Sequence, residues 1–374
     1  MRCSKMSSFI VMDIVRDALK YDDAVHFEVG QPDLPPSLKV KQALHDAIDN
    51  DRFSYTESLG LFELREKIAQ EYERRYGLNV DPRQIFLTPG TSGAFLIAYS
   101  LTLKHSSRLG LSDPSYPCYK NFAHMLDIEP VFMPIDKKDD FELHVEDLVG
   151  KKLDALQISS PSNPTGNIYQ TKNFKELIEF CDEQNIAFIS DELYHGLTYE
   201  KEANCALEFS QNSYVVNGFS KFYCVPGNRL GWVIVPKHKL KEAEILCQNL
   251  FISAPTLSQY GALEAFDDDY QASVKEEFKR RRDFLYHELS QIFEIDAMSQ
   301  GAFYIWANVS RYSDDSFAFA RELLKKLHVA STPGVDFGNN GTSKYIRFAY
   351  TRNIEHMREG IERLKRYLSS YRKA

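Results

Sequence analysis

The sequence of 374 residues has few cysteines, no long apolar run and no excess of basic residues. Its six cysteines form no CxxC pair and have no histidines at a spacing suited to zinc, which favours free thiols over disulfides and predicts no metal site. With 45 Lys and Arg against 53 Asp and Glu, the formal net charge is −8, which argues against nucleic acid as the main partner.

A membrane-spanning helix needs about 18 consecutive apolar residues, and no segment approaches that length. The N-terminus leads into no signal-like apolar segment. We therefore expect a cytoplasmic protein without a membrane span.

The composition is otherwise that of a globular protein, with 43% hydrophobic and 26% charged residues. A chain of this length exceeds the usual size of a single core. After residue 84, short apolar segments alternate with helical patterns, which predicts a mostly parallel sheet covered by helices on both faces. We expect an α/β protein with a large domain at residues 36–265 and a smaller α/β domain made by residues 1–35, including an N-terminal arm, and 266–374.

Lys221 lies between two apolar segments that we predict to be strands, residues 214–217 and 231–235. An amine held between buried strands loses hydration, so its pKa falls and it becomes a nucleophile toward carbonyl groups. Arg229 adds a guanidinium fork that can bind an anion. An amine beside an anion clamp is suited to holding pyridoxal phosphate as a Schiff base.

Two polar residues follow predicted strands, and ligands of open parallel sheets bind at the carboxyl ends of strands. Asp191 could pair with a protonated pyridine nitrogen, or it could only cap the next segment. Asn163, in the turn at residues 163–166, could donate its amide to a cofactor oxygen, or the turn could be purely structural.

Three further features each allow two interpretations. The Gly-Thr-Ser-Gly segment at residues 90–93 precedes a helix that we predict from Ala94 to Leu103. It is suited to binding a phosphate at the helix N-terminus, but such residues also cap helices without a ligand. Tyr116 could stack on a flat ring or be an ordinary loop aromatic. Arg347, in an otherwise apolar or aromatic strand at residues 345–350, could face solvent or bind a carboxylate through two of its guanidinium nitrogens.

Together these segments resemble the class I/II aminotransferases, which are fold-type I pyridoxal-phosphate enzymes similar to aspartate aminotransferase. The resemblance extends from about residue 27 to the closing helix. Each motif alone is common, whereas seven in the family's order are specific. In chain order the motifs are residues 29–33, Tyr55 with Gly60 and residues 64–65, residues 90–93, residues 163–166, residues 191–194, residues 220–231, and Arg347.

The resemblance implies a role for each residue around the cofactor ring. Lys221 would form the Schiff base and move a proton between the substrate α-carbon and the cofactor C4′ atom. Asp191 would bind the pyridine N–H, while Asn163 and Tyr194 would hydrogen-bond to the phenolic oxygen. Tyr116 would stack on the ring.

The same resemblance assigns the two anionic ends of the complex. The cofactor phosphate would be held by Thr91, Ser92, Ser220 and Arg229, with Tyr55 reaching it from the second subunit of a homodimer. The substrate α-carboxylate would be bound by Arg347, Asn163 and the backbone around Gly30.

The sequence departs from the family pattern three residues before the lysine, where a phosphate-binding serine is common. Gly218 occupies this position, so Ser220 either contacts the phosphate or only shapes the turn. Dicarboxylate-specific members use a further cation for the distal carboxylate, and the sequence does not identify one.

The expected activity is transamination in amino-acid metabolism, in which an amino acid and a 2-oxo acid react in turn by a ping-pong route. A carbon–sulfur β-lyase or a decarboxylase on the same fold is the main alternative. A non-catalytic regulator that binds the cofactor is disfavoured, because such regulators carry an added DNA-binding domain and no spare basic helix-turn-helix segment is present.

Overall fold

The computed structural model describes the backbone of residues 2–371 and the side chains of residues 4–371. The helices are α1 (Ile10–Ala18), α2 (Leu38–Asp49), α3 (Phe62–Tyr76), α4 (Gly90–Thr102), α5 (Cys118–Met125), α6 (Val145–Leu148), α7 (Thr171–Glu183), α8 (Leu240–Leu250), α9 (Thr256–Ala262), α10 (Asp268–Ser290), α11 (Ser316–Leu327) and α12 (Ile354–Leu368). The strands are β1 (Val25–His26), β2 (Ile85–Pro89), β3 (Arg108–Asp113), β4 (Glu129–Pro134), β5 (Ala155–Ser159), β6 (Ala187–Asp191), β7 (Tyr214–Gly218), β8 (Leu230–Ile234), β9 (Glu294–Ile295), β10 (Tyr304–Asn308), β11 (Val329–Ala330), β12 (Thr332–Pro333) and β13 (Tyr345–Ala349).

The largest sheet has the strand order β2-β8-β7-β6-β5-β3-β4. Its neighbours pair in parallel except at β8, which is antiparallel to both β2 and β7. The central strands are buried almost throughout, because helices cover both faces of the sheet. This confirms the predicted α/β class with a mostly parallel sheet.

The parallel register aligns the carboxyl ends of three central strands. Ser159 at the end of β5 pairs with Asp191 at the end of β6, which in turn pairs with Val216 of β7. The loops that follow these strands therefore begin side by side at one edge of the sheet.

A second sheet has the order β12-β13-β10-β9 and is antiparallel, with Arg347 of β13 opposite Trp306 of β10. The N-terminal segment joins this part of the molecule through β1, which pairs in parallel with β11. The backbone of Phe27 also bonds to Ala330 and Ala349. The exact division into domains at residues 36 and 266 stays a prediction.

The predicted helices differ from the observed ones near the site and also further along the chain. Helix α4 begins at Gly90, whereas we predicted its first residue as Ala94. The small residues of this turn let it lie against β8, where a Cβ on Gly231 would be 2.8 Å from the Thr91 nitrogen. Helices α8 and α9, between β8 and residue 266, were not predicted.

Candidate active site

A cavity of about 230 Å³ lies at the carboxyl ends of the central strands. Its lining includes all but one of the site residues predicted from the sequence: Gly30, Thr91, Ser92, Tyr116, Asn163, Asp191, Tyr194, Ser220, Lys221, Arg229 and Arg347. The exception is Tyr55, which lies outside this lining and is 78% exposed in the single chain.

Lys221 follows β7 and extends its amine across the cavity to the N-terminal segment. The Nζ atom donates a hydrogen bond to the Gly30 carbonyl oxygen at 2.6 Å. A Cβ at position 30 would lie 1.9 Å from the hydroxyl oxygen of Tyr304, so any other residue there would displace that ring. Burial, together with the positive charges of Arg347 and Arg229, lowers the pKa of Lys221 to about 8.

Asp191 ends β6, and both of its carboxylate oxygens are held. The backbone N–H of Leu193 donates to Oδ1 at 3.1 Å, and the Tyr119 hydroxyl donates to Oδ2. Burial raises the pKa of Asp191 to about 6, and the hydrogen bond from Tyr119 limits that rise. The group is therefore mostly ionised at neutral pH and can accept a hydrogen bond from a cationic ring nitrogen.

The turn that carries Asn163 is anchored by a buried histidine. His195 Nε2 lies 2.8 Å from the Ser160 carbonyl oxygen, which can only accept, so Nε2 carries the proton. His195 Nδ1 then accepts from the Tyr76 hydroxyl at 2.6 Å. Burial lowers the pKa of His195 to about 3, so this anchor stays neutral.

Arg347 is 4% exposed, and its guanidinium is fixed from several sides. It donates to Asn163 Oδ1 at 2.9 Å and to the Glu28 carbonyl oxygen at 2.6 Å. The rings of Tyr304 and Phe337 pack against it, with centroids 4.2 and 4.8 Å from Cζ. The buried Nε atom has no hydrogen-bond partner, which leaves a donor available to a bound anion.

Tyr194 and Tyr304 form a buried hydroxyl pair 2.7 Å apart. Burial raises the pKa of Tyr194 well above its usual value, so the group stays a neutral hydroxyl that can donate. Sequence reasoning missed Tyr304 and the role of Tyr119 as a partner of Asp191. The only signal for Tyr304 was its place in an aromatic strand, which core packing explains equally well.

A cationic cradle lies where α4 begins. Thr91 and Ser92 are in the first turn of the helix, and its free N–H groups favour an anion. The Arg229 guanidinium lies directly over this turn, since a Cβ on Gly90 would be 2.6 Å from Nη2. Ser220 also lines the cavity close to Lys221.

The departure at position 218 has a steric explanation. A Cβ on Gly218 would lie 3.1 Å from Thr91 Cγ2 and from the Gly231 Cα atom. These distances are tighter than ordinary van der Waals contacts, so a serine at position 218 would require Thr91 and Gly231 to shift by a few tenths of an ångström.

Tyr116 places an aromatic ring at the cavity wall. Its ring meets Tyr119 edge to face, with centroids 5.3 Å apart, and meets Phe9 at 6.0 Å in the same manner. Such a wall is suited to a flat aromatic ligand.

The residues present fit pyridoxal phosphate. An ionised carboxylate, an amine with a lowered pKa and a cationic helix terminus line one cavity, as the pyridine nitrogen, the aldehyde and the phosphate of this cofactor require. Within the described part of the chain, no cluster of three or more His, Cys, Asp or Glu could hold a metal ion. Among residues 2–371, no helix combines the length and apolar character that crossing a membrane requires.

Known proteins with similar sequences are aminotransferases, which agrees with the chemistry of the site. The model of the family described as aminotransferase class I and II matches residues 22–364. The chain is 36% identical to (5-formylfuran-3-yl)methyl phosphate transaminase of Methanocaldococcus jannaschii, covering 98% of this chain and 99% of that protein. It is 33% identical to valine–pyruvate aminotransferase of Mycobacterium tuberculosis, covering 97% and 96%.

A solved structure of an aminotransferase from Mycobacterium tuberculosis superimposes with a TM-score of 0.95 at 33% identity, covering 99% of this chain and 98% of that one. The chain belongs to the class I and II aminotransferase family, whose members depend on pyridoxal phosphate. It is therefore an enzyme whose general reaction is transfer of an amino group from an amino acid to a 2-oxo acid.

Proposed function

We propose that Lys221 is the amine that binds the cofactor and then moves the proton at the substrate α-carbon. The observation that carries this proposal is the position of Nζ, which bonds to Gly30 within a cavity that Asp191, Arg229 and Arg347 also line. When bound, pyridoxal phosphate supplies a carbonyl carbon that condenses with amines and a ring that withdraws electrons.

The lowered pKa of Lys221 is suited to this work. A base is most effective when its pKa lies near the working pH, and about 8 is much closer to neutrality than the ordinary value of 10.5. The neutral amine accepts the proton from the substrate α-carbon and then donates it to the cofactor C4′ atom. The Gly30 carbonyl orients Nζ while the amine carries the proton.

Asp191, Tyr194 and Asn163 would set the protonation of the cofactor. The Asp191 carboxylate holds a proton on the ring nitrogen, which keeps the ring electron-withdrawing. Tyr194 donates its hydroxyl hydrogen, and Asn163 its amide, to the phenolic oxygen. Tyr116 packs against the ring face.

Different residues of the cavity bind the two anionic groups. Arg347, positioned by its bond to Asn163 and assisted by the backbone around Gly30, binds the substrate α-carboxylate. Thr91, Ser92, Ser220 and Arg229 hold the phosphate.

The remaining parts of the proposal concern the assembly and its setting. Tyr55 acts on the phosphate of the other subunit in a homodimer, which its exposure and its place outside the cavity of its own chain support. Each subunit divides into a large domain at residues 36–265 and a small domain from residues 1–35 and 266–374. The enzyme works in the cytoplasm.

The direct test is the absorbance of the bound cofactor in a panel of half-reactions. Addition of a suitable amino acid should shift the cofactor band, and a 2-oxo acid should reverse the shift. If no amino acid shifts the band, the proposal is wrong. Release of pyruvate and ammonia from a β-substituted amino acid without any 2-oxo acid would indicate a β-lyase instead.

A further inference from the structure

Asn163 reaches the cavity from a turn, whereas several other lining residues lie on regular elements. Val11 and Met12 lie on α1, and Asp191 and Arg347 lie on strands. Residues 160–170, which connect β5 to α7, form neither a helix nor a strand. The position of the Asn163 amide therefore depends on the side chains and backbone groups that hold this turn.

The start of the turn is held through Ser160. Its N–H donates to the Asp191 carbonyl oxygen at 3.3 Å, and its Oγ accepts from the Tyr169 N–H at 3.1 Å. Its carbonyl oxygen accepts from His195 Nε2 at 2.8 Å. Ser160 is thus joined both to the end of β6 and to a buried side chain in the loop that follows it.

His195 can hold the carbonyl group because its own ring is fixed. Tyr76, at the end of α3, donates its hydroxyl hydrogen to Nδ1 at 2.6 Å, which keeps the ring proton on Nε2. Burial lowers the pKa of His195, and the positive charge of Arg75 acts in the same direction, whereas the Glu202 carboxylate offsets only part of the shift. The ring is therefore neutral near neutral pH, with one donor and one acceptor.

The carboxyl group beside this ring does not bring a charge to it. Glu192 Oε2 lies 3.5 Å from His195 Nδ1 and has no hydrogen-bond partner among the described residues. The other oxygen, Oε1, accepts from the Ser190 hydroxyl at 3.0 Å and from the Ala206 N–H at 2.9 Å. Burial raises the pKa of Glu192 to about 8, so the group is mostly a neutral acid at neutral pH.

The position of the turn also sets which way the Asn163 amide can donate. Arg347 donates to Asn163 Oδ1 at 2.9 Å. Because the guanidinium occupies the amide oxygen, the amide nitrogen is left to donate to another acceptor. In the proposed function that acceptor is the phenolic oxygen of the cofactor.

We propose that His195 is a positioning residue, which acts through Ser160 to hold the turn that presents the Asn163 amide to the phenolic oxygen of the cofactor. The inference rests on the proposed function, which assigns this contact to Asn163. A hydrogen bond to the phenolic oxygen favours the form of the cofactor with fewer protons, so it lowers the pKa of the bound chromophore. Release of the turn at Ser160 weakens this bond and raises that pKa.

The test is a pH titration of the cofactor absorbance band in the holoenzyme without substrate. His195→Phe removes the donor to Ser160 while keeping a planar ring, and the chromophore pKa should rise by about one unit. His195→Gln keeps an amide donor in place of Nε2 and should retain most of the original pKa. Lower thermal stability of His195→Phe with an unchanged chromophore pKa, or an equal rise in both variants, would overturn the inference.

A double variant tests the route from His195 to the cofactor. Asn163→Ala alone should raise the chromophore pKa, and His195→Phe added to it should change that pKa by less than about 0.3 unit, because the second change acts through the first. Shifts that add in full would show that His195 reaches the cofactor by another route.

Tyr76→Phe provides a second test that does not depend on the folding of His195→Phe. It removes the hydroxyl that fixes Nδ1, and the chromophore pKa should rise by about 0.3 unit or more. The matched control is Tyr270→Phe, because the Tyr270 hydroxyl is also a donor, to the Pro35 carbonyl oxygen at 2.6 Å, and lies outside the cavity lining. An unchanged pKa in Tyr76→Phe, or an equal rise in both variants, would contradict the inference.

The two proposals fail differently in these titrations. If the proposed contact between Asn163 and the cofactor is wrong, Asn163→Ala leaves the chromophore pKa at its original value. If only the role of His195 is wrong, Asn163→Ala raises that pKa and His195→Phe does not.

Discussion

At the scale of single residues, neighbouring charges and hydrogen bonds set the pKa values of the groups in the site. Two arginines and burial disfavour the protonated form of Lys221, whereas Asp191 favours it. Asp191 itself is kept ionised near neutrality by a hydroxyl that sequence reasoning did not assign to it. The amine and the carboxylate therefore depend on neighbours from distant parts of the chain.

The lowered pKa of Lys221 predicts how the apoenzyme takes up its cofactor. Because only the neutral amine attacks a carbonyl, the rate of cofactor binding should rise with pH through about 8 and then level off. Stopped-flow absorbance of apoenzyme mixed with pyridoxal phosphate between pH 6.5 and 10 measures this profile. A rate that still rises steeply above pH 9.5 would show a lysine with an ordinary pKa.

Tyr119 should affect catalysis through Asp191. In Tyr119→Phe the carboxyl loses a hydrogen bond while staying buried, so its pKa rises further and less of it is ionised at neutral pH. A hydrogen bond to a charged group is worth about 1.5–3 kcal/mol, so kcat/KM should fall about 10- to 100-fold. The fall should be steepest on the acid side of the pH profile.

Tyr312→Phe is the control for this variant. The Tyr312 hydroxyl is also buried and donates to the Ile292 carbonyl oxygen at 3.1 Å, but it is not part of the cavity lining. It should lower thermal stability without changing the pH profile. Equal effects of the two variants on kcat/KM would mean that Tyr119 acts only through stability.

At the scale of elements, the start of α1 depends on a carboxylate from a distant part of the chain. Asp336→Ala removes the acceptor for two backbone N–H groups, which costs about 0.5–2 kcal/mol of local stability. Because substrate must then order the helix, KM should rise by up to about tenfold, since 1.4 kcal/mol is a factor of ten. Hydrogen exchange should show faster exchange in residues 10–18.

A second helix cap provides the comparison. Asp315 accepts from the N–H groups of Phe317 and Ala318 at 3.0 Å each, at the start of α11. Asp315→Ala should cost similar stability and leave KM unchanged. If Asp336→Ala leaves KM unchanged as well, α1 does not help to form the substrate site.

Among the strands, sequence patterns predicted the central ones of the large sheet best. These strands are short apolar runs because helices cover both faces of the sheet, so that β7 is wholly buried and β5 and β6 are buried except for one residue each. The start of α4 was placed four residues late, because its Gly-Thr-Ser-Gly turn has the composition of a loop. The turn is helical because it packs against Gly231 in the folded protein.

The location of the site was predictable for the same reason, since strand ends in a parallel sheet converge. Asp191 ends a strand, Asn163 and Lys221 each come shortly after one, and the structure brings all three into one cavity. Their partners could not be predicted, because the Tyr119–Asp191 bond spans 72 residues and the Arg347–Asn163 bond spans 184. Contacts over such separations leave no periodic signal in the sequence.

At the scale of the whole molecule, the proposed homodimer makes a prediction about Tyr55. Tyr55→Phe should weaken cofactor binding in every site of its own homodimer, and Lys221→Ala should abolish turnover. If Tyr55 acts on the other subunit, a mixed dimer of the two variants contains one intact site. Refolding an equal mixture should therefore restore activity at limiting cofactor, whereas a Tyr55 acting within its own chain would restore none.

The central claim is that Lys221 is the amine that bonds to the cofactor. Borohydride reduction of the holoenzyme fixes that bond, and peptide mass spectrometry then locates the added pyridoxyl group. We predict that the group is found on the peptide containing Lys221, with none on any other lysine and no incorporation in Lys221→Ala. Attachment to a different lysine, or equal incorporation in the variant, would contradict the account.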